Sequence, residues 1–344
     1  MSDQKKSGCL PLVLFVLLCG SMLVNVVLFM AQLATFWETK AKSAFSEANS
    51  TGRFSEVSVE SAKNDSADKV AVIPLKGLIS SGVEGRLTHS VVDDTKIALR
   101  QAATDPNVRA IVFLVDSPGG EVTASDVIYN EVRAARERKP VVVYLDSIAA
   151  SGGFYAACGG SYIMAHETTL TGSIGVIIQT LKYKDLFGKI GLESVVFKSG
   201  QFKDILSGTR DMTDLEKKFV QDMVMQTYDK FVGIVAAERK ISESHLRQNI
   251  ADGRILSGKD AATQKLINTT GYIEDAYAKA RELGQAPNAA VVRYEAQFKF
   301  TDFFRAFGET GSAQQKRVEI ELPGALLPRL ESGRIYLLPA FYAE

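Results

Sequence analysis

Val141-Val142-Val143-Tyr144-Leu145-Asp146-Ser147-Ile148-Ala149-Ala150-Ser151-Gly152-Gly153 opens as an apolar run and closes on a serine followed by two glycines. Val141 to Leu145 reads as a fully buried strand, and Ser151 opens a short helix. The same order occurs just upstream, where apolar Ala110 to Val115 runs into Asp116-Ser117-Pro118-Gly119-Gly120. Outward from these two stretches, strands are expected at Val70–Ile79, Tyr162–Ala165, Ser173–Gln179 and Glu193–Phe197. Helices are expected at Val92–Ala103, Ala124–Arg138, Leu181–Ile190 and Met212–Lys240, with interrupted helix from Glu243 to Leu283. Apolar strands alternating with helices mean an α/β fold whose sheet is covered on both faces.

Composition narrows the function. Lys+Arg and Asp+Glu both number 40 in 344 residues, and no basic block stands out, so nucleic acid is not the expected partner. Three cysteines form neither a disulfide framework nor a zinc spacing, and His89, His166 and His245 make no H-E-x-x-H, so no metal site is expected. Cys9 to Ala34 carries no charge, and about 20 apolar residues cross a hydrocarbon core. The run is too long for a signal-peptide core and lacks a clean small-x-small site after it. It reads as an uncleaved anchor at 9–34, with Phe36 and Trp37 at the interface. Residues 1–8 then form a cytoplasmic tail, and the rest lies on the extracytoplasmic side of the cell membrane. Residues 35–68 read as a polar stalk and 69–287 as the folded domain. Residues 288–344 read as an apolar tail docking on this chain or on a neighbouring copy.

Ser151 is the first candidate for chemistry. A serine at a strand-to-helix turn is commonly just a helix N-cap. Against that, Gly152 and Gly153 clear side chains from beside its hydroxyl. The N–H groups of Gly119 and Gly120 offer an oxyanion hole. Thr171-Gly172-Ser173 supplies a further hydroxyl. With histidines scarce, a lysine whose charge is suppressed by burial is the candidate base. Lys203, in Lys198-Ser199-Gly200-Gln201-Phe202-Lys203-Asp204, has Phe197, Phe202, Ile205 and Leu206 to provide that setting. Lys198 is its local rival, and spacing alone does not choose between them. Gly253 to Asp260 nearly matches a phosphate loop, but Asp260 replaces the hydroxyl residue and no apolar strand precedes it. Cys158, two turns beyond Ser151, reads as a small buried apolar residue.

Four segments in order, Val115–Gly120, Ser147–Tyr155, Leu170–Val176 and Lys198–Asp204, with a weaker fifth at Asp252–Gly258, resemble the signal peptide peptidase A family of membrane-bound Ser–Lys proteases. The resemblance spans roughly residues 70–285. It implies a Clp-protease-like or crotonase-like domain of ββα units with one N-terminal transmembrane helix. It implies Ser151 as nucleophile, Lys203 as general base and Ser173 as the hydroxyl orienting the lysine. Gly119 and Gly120 would form the oxyanion hole. It further implies remnant signal peptides as substrates, a bilayer as partner, a homo-oligomeric ring and no cofactor. Two rivals are a catalytically silent peptide-binding scaffold of the same fold and a crotonase-type acyl-CoA enzyme. The presence of both Ser151 and Lys203 argues against the first, and the serine and the anchor against the second.

Overall fold

Successive side chains of a strand point to opposite faces, so a strand covered on both sides is apolar at every position. Three central strands show this: β2 (Lys69–Lys76), β3 (Val108–Ser117) and β5 (Val141–Ala150). Ala71, Ile73, Leu75, Ile111, Phe113, Val115, Val143 and Leu145 enter one core. The alternate residues Val70, Val72, Ala110, Val112, Val142 and Tyr144 enter the other. The computed structural model describes residues 54–82 and 90–296, with the backbone of Tyr336–Leu337. The chain divides into two units, 1–52 and 53–344, and all of these residues lie in the second.

The main sheet is mixed. Its order is β1 (Phe54–Glu60), β10 (Ala290–Ala296), β2, β3, β5, β6 (Tyr162–Ala165) and β9 (Thr269–Thr270). The pairings from β10 to β9 are parallel, and β1 is antiparallel to β10. Beyond a register shift against β3 after Leu145, β5 also pairs with β7 (Leu170–Gly172), which in turn pairs antiparallel with β8 (Ile255–Ser257). The larger core is covered by helices α1 (Val91–Thr104), α2 (Val122–Arg136), α3 (Gly152–Ala157) and α5 (Asp214–Arg239). Ala276, Tyr277 and Ala280 of α8 (Ile273–Leu283) cover the smaller one. Short helices α4 (Lys184–Lys189), α6 (Glu243–Asn249) and α7 (Gly258–Thr263) complete the set among the described residues.

Helix ends follow their caps. Ser90 accepts from the Asp93 N–H at the start of α1, where Asp93 and Asp94 complement the helix dipole. Thr213 and Glu216 form a reciprocal capping box at the start of α5.

Four expectations change. The polar stalk does not reach 68, because Phe54–Glu60 is a strand; its outward residues made the composition look solvated, while Phe54 is buried and stacks on Tyr294. Nor does the tail begin at 288, since β10 lies between β1 and β2. Ser173–Gln179 and Glu193–Phe197 are not strands. Past β7 the chain leaves the sheet as an arm: Ile177 makes only an isolated bridge, Glu193–Phe197 lies in no described strand, and Val195 is 70% exposed. The run 9–34 lies outside the described residues; among those described, no helix is long and apolar enough to cross a membrane.

Candidate active site

Ser151 sits where β5 gives way to α3. It holds the N-cap position, but its side chain makes no capping hydrogen bond. Its backbone is at φ 52° and ψ −115°, outside the regions that serine prefers. Such strain costs on the order of 1–3 kcal/mol and persists only where the surroundings enforce it. Here they do. The Ser151 N–H donates to Gly172 O at 2.8 Å, and the Ser151 carbonyl accepts from the Tyr155 N–H at 2.8 Å. Every residue of α3 is buried. Tyr155 packs against Phe231 of α5 at 4.9 Å between ring centres and donates its hydroxyl to Asp126 at 2.7 Å. The Ser151 Oγ is itself buried and has no hydrogen-bond partner. A cap would have spent that hydroxyl on the helix, so the simple capping role is excluded.

The Gly119–Gly120 turn lies directly against this serine. A Cβ on Gly152 would fall 3.0 Å from the Gly120 nitrogen and 2.4 Å from Ser125 Oγ. A Cβ on Gly120 would fall 1.9 Å from the Ile79 carbonyl oxygen. Only glycine lets these three backbone segments meet. One expected donor is already engaged, because the Gly119 N–H donates to Ser117 Oγ at 3.1 Å. Gly120 lies against Gly152, next to the serine, and is paired with Leu337. The Gly152 N–H, at the first turn of α3, is among the amides that a helix leaves without an internal acceptor. Sequence reasoning did not consider the Gly152 amide, although the helix start straight after Ser151 was the signal for it.

Ser173 is buried at φ 49° immediately after β7. The register Ala150↔Gly172 places it alongside Ser151 on the neighbouring strand. Its N–H donates to Arg254 O at 2.8 Å, so the Asp252–Gly258 stretch supports this second serine. Instead of a phosphate loop, that stretch forms β8 and an N-cap, in which Ser257 Oγ accepts from the Asp260 N–H.

Lys203 is placed differently. It sits on an exposed turn of the arm, and no hydrogen bond joins it to Ser151 in the single chain. The apolar setting expected around it is only partly assembled. Phe202 stacks on Phe219 of α5 at 5.2 Å, whereas Phe197 is 96% exposed. Lys198 is engaged, its Nζ at 2.8 Å from Asp204. The tail also reaches this region, since β11 (Tyr336–Leu337) pairs antiparallel with β4 (Gly120–Glu121). Cys158 is buried and free, and burial pushes its thiol up to about 12.

Comparison with known proteins fits this geometry. The family model described as "Peptidase family S49" matches residues 133–286 and that described as "Clp protease" matches 79–180. "Putative protease slr0021" of Synechocystis is 35% identical over 214 residues, which cover 62% of this chain and 74% of that protein. The chain belongs to peptidase family S49. Its α/β fold with a mixed sheet is Clp-protease-like. Two further S49-type relatives are "Putative protease MJ0651" of Methanocaldococcus jannaschii and "Protease 4" of Salmonella typhi. The first is 38% identical, with 55% of this chain and 61% of that protein aligned. The second is 37% identical, with 64% of this chain and 35% of that protein aligned.

Proposed function

We propose that this S49 member is a serine endopeptidase working through a Ser151–Lys203 dyad on extended apolar peptides, remnant signal peptides among them. One observation carries the reading. Ser151 is strained and buried, its hydroxyl has no hydrogen-bond partner, and the next residue, Gly152, lies against the Gly119–Gly120 turn. Neutral Lys203 takes the Ser151 proton, and Oγ attacks the peptide carbonyl. The developing oxyanion rests on the Gly120 and Gly152 amides. Lys203 passes the proton to the leaving amine as the acyl-enzyme forms, and the same lysine then activates the water that releases the acyl group. Ser173 orients the lysine. The pairing of β11 with β4 supports an extended peptide as ligand, because that edge already accepts a strand.

A lysine works as a base only where burial suppresses its charge. The arm supplies a means. Leu181, Leu186, Ile190, Leu192, Val195 and Phe197 are all exposed. Association of further copies into a ring would cover them and carry Lys203 onto a serine. An anchor at 9–34 would hold enzyme and peptide in one membrane and raise their effective concentration.

Cleavage of an apolar fluorogenic peptide by the full-length chain in detergent tests the dyad. Ser151→Ala and Lys203→Ala are expected to be inactive, and Lys198→Ala active. A Ser151→Ala variant that cuts like wild type would remove the nucleophile assignment. Peptide binding without cleavage by the wild type would favour the silent scaffold.

A further inference from the structure

Asp204 adjoins Lys203 in the chain, and both of its carboxylate oxygens are taken. Oδ1 accepts from Lys198 Nζ at 2.8 Å and from Arg210 Nη2 at 2.7 Å, while Oδ2 accepts from Arg210 Nε at 2.8 Å. Arg210 reaches Glu216 as well, donating from Nη1 to Oε2 at 2.9 Å and from Nη2 to Oε1 at 2.5 Å. Glu216 is no surface partner. Its side chain is 4% exposed, and Oε2 also accepts from the Thr213 N–H within the capping box of α5. The guanidinium thus ties the lysine-bearing turn to the start of a helix whose later residues, Phe231, Val232 and Val235, lie in the main core. The Phe202–Phe219 stack joins the same two segments independently.

A carboxylate beside a catalytic lysine opposes its role, because it favours the charged form. We propose that Arg210, assisted by Lys198, is a positioning residue for Lys203: it fixes the turn carrying the lysine and holds the neighbouring Asp204 carboxylate away from it. This rests on Lys203 being the base. Five further charged groups on the flanking segments are paired among themselves. Lys182 and Lys184 hold Asp211, and Lys217 of α5 holds Asp214. The Asp204 carboxyl is held below the usual range by its hydrogen bonds to Arg210 and Lys198.

The test is the pH profile of kcat/KM for the full-length protein in detergent with an apolar peptide. In Lys198→Gln/Arg210→Gln, Asp204 is released and the acidic limb is expected to move up by about one pH unit or more, as a freed neighbouring carboxylate does. Adding Asp204→Asn is expected to return the limb to its wild-type position. A double variant that loses rate with an unmoved limb would reduce Arg210 to a structural part and overturn the proposal. Should the double variant fail to fold, Asp204→Asn alone decides. An unmoved limb supports the proposal, and a limb displaced downward shows that Asp204 already serves as the lysine's counterion, which overturns it. Lys203→Ala with wild-type activity would instead sink the dyad itself, so the two failures are distinguishable.

Discussion

The two halves of the candidate site are built in opposite ways. The half holding Ser151, Ser173 and the Gly119–Gly120 turn is buried in the main core, and its strained backbone is fixed by hydrogen bonds and close packing. The half holding Lys203 rides on an arm whose large apolar residues face outward, with Phe197 96% exposed. The first half has paid its ordering cost during folding. The second is anchored at one end, through Arg210 and Glu216, and is otherwise uncovered. If the proposed roles hold, Ser151 and the glycine turn are preorganised by the fold, whereas Lys203 is completed by whatever covers the arm.

The comparison can be broken from either side. Ser151→Ala should carry the largest effect, lowering kcat/KM about a thousandfold or more if Ser151 is the nucleophile. It should not lower the melting temperature, because a buried hydroxyl without a partner contributes nothing that alanine lacks. Calorimetry showing clear destabilisation would mean that the hydroxyl is structural after all. Gly120→Ala comes next. Its methyl group would have to displace the Ile79 carbonyl, so kcat should fall by about 10²–10³, as when an oxyanion donor is lost. Stability should fall by about 1–3 kcal/mol, as overpacked sites do. On the arm, Phe197→Asp should do the reverse. Sedimentation should show lost association and assays at least about a tenfold loss of activity, with the melting temperature of the diluted protein unchanged, since an exposed side chain contributes little to folding. A melting temperature that fell as far as for Gly120→Ala would erase the contrast between the halves.

The same contrast sets what the sequence made legible. The sheet could be read because Ala110–Val115 of β3 and Val141–Leu145 of β5 are apolar at every position, a pattern that local burial alone enforces. Ser151 and the glycine turn could be placed because they follow those strands, whereas the role of Ser173 came only through the family resemblance, and the residue follows β7 instead of opening a strand. The engagement of the Gly119 amide by Ser117 could not be read, since it depends on how one turn folds back on itself. Strands expected at Ser173–Gln179 and Glu193–Phe197 failed for a related reason. β-propensity states only that a residue suits a half-buried pleated surface, and among the described residues the arm adds no strand to the sheet. Strand β1 failed in the opposite sense. Its outward serines and glutamates resemble a stalk, and only its distant pairing with β10 makes it a strand.

Glu216 gives a smaller test, on the anchored end of the arm. Hydrogen bonds from Arg210 and from the Thr213 N–H lower its carboxyl from 4.5 to about 2. A depressed carboxyl contributes stability above its ordinary value and loses it as pH falls toward the folded value. Glu216→Gln should therefore melt below wild type at about pH 6, and the gap should narrow as pH falls through the window from 4.5 toward about 2. A gap that stayed constant over that window would show that the loss comes from packing or capping and that the ion pair adds little.

The smallest effect belongs to Cys158, which reports on the rigid half without perturbing it. Only the thiolate reacts with alkylating reagents, and burial pushes this thiol up to about 12. The residue is the C-cap of α3, packed in the same core as Phe154 and Tyr155. Labelling of Cys158 near pH 8 therefore requires that core to open, and its rate measures the opening. Mass spectrometry should find Cys158 unmodified for hours in native protein and modified at once in denaturant. Phe197→Asp should leave the native rate unchanged, because uncovering the arm does not loosen the core. Gly120→Ala should raise it, because the clash with Ile79 lies against the turn that α3 caps. Equal labelling in the two variants would mean that arm and core move together, and the division between a preorganised serine and an uncovered lysine would fail.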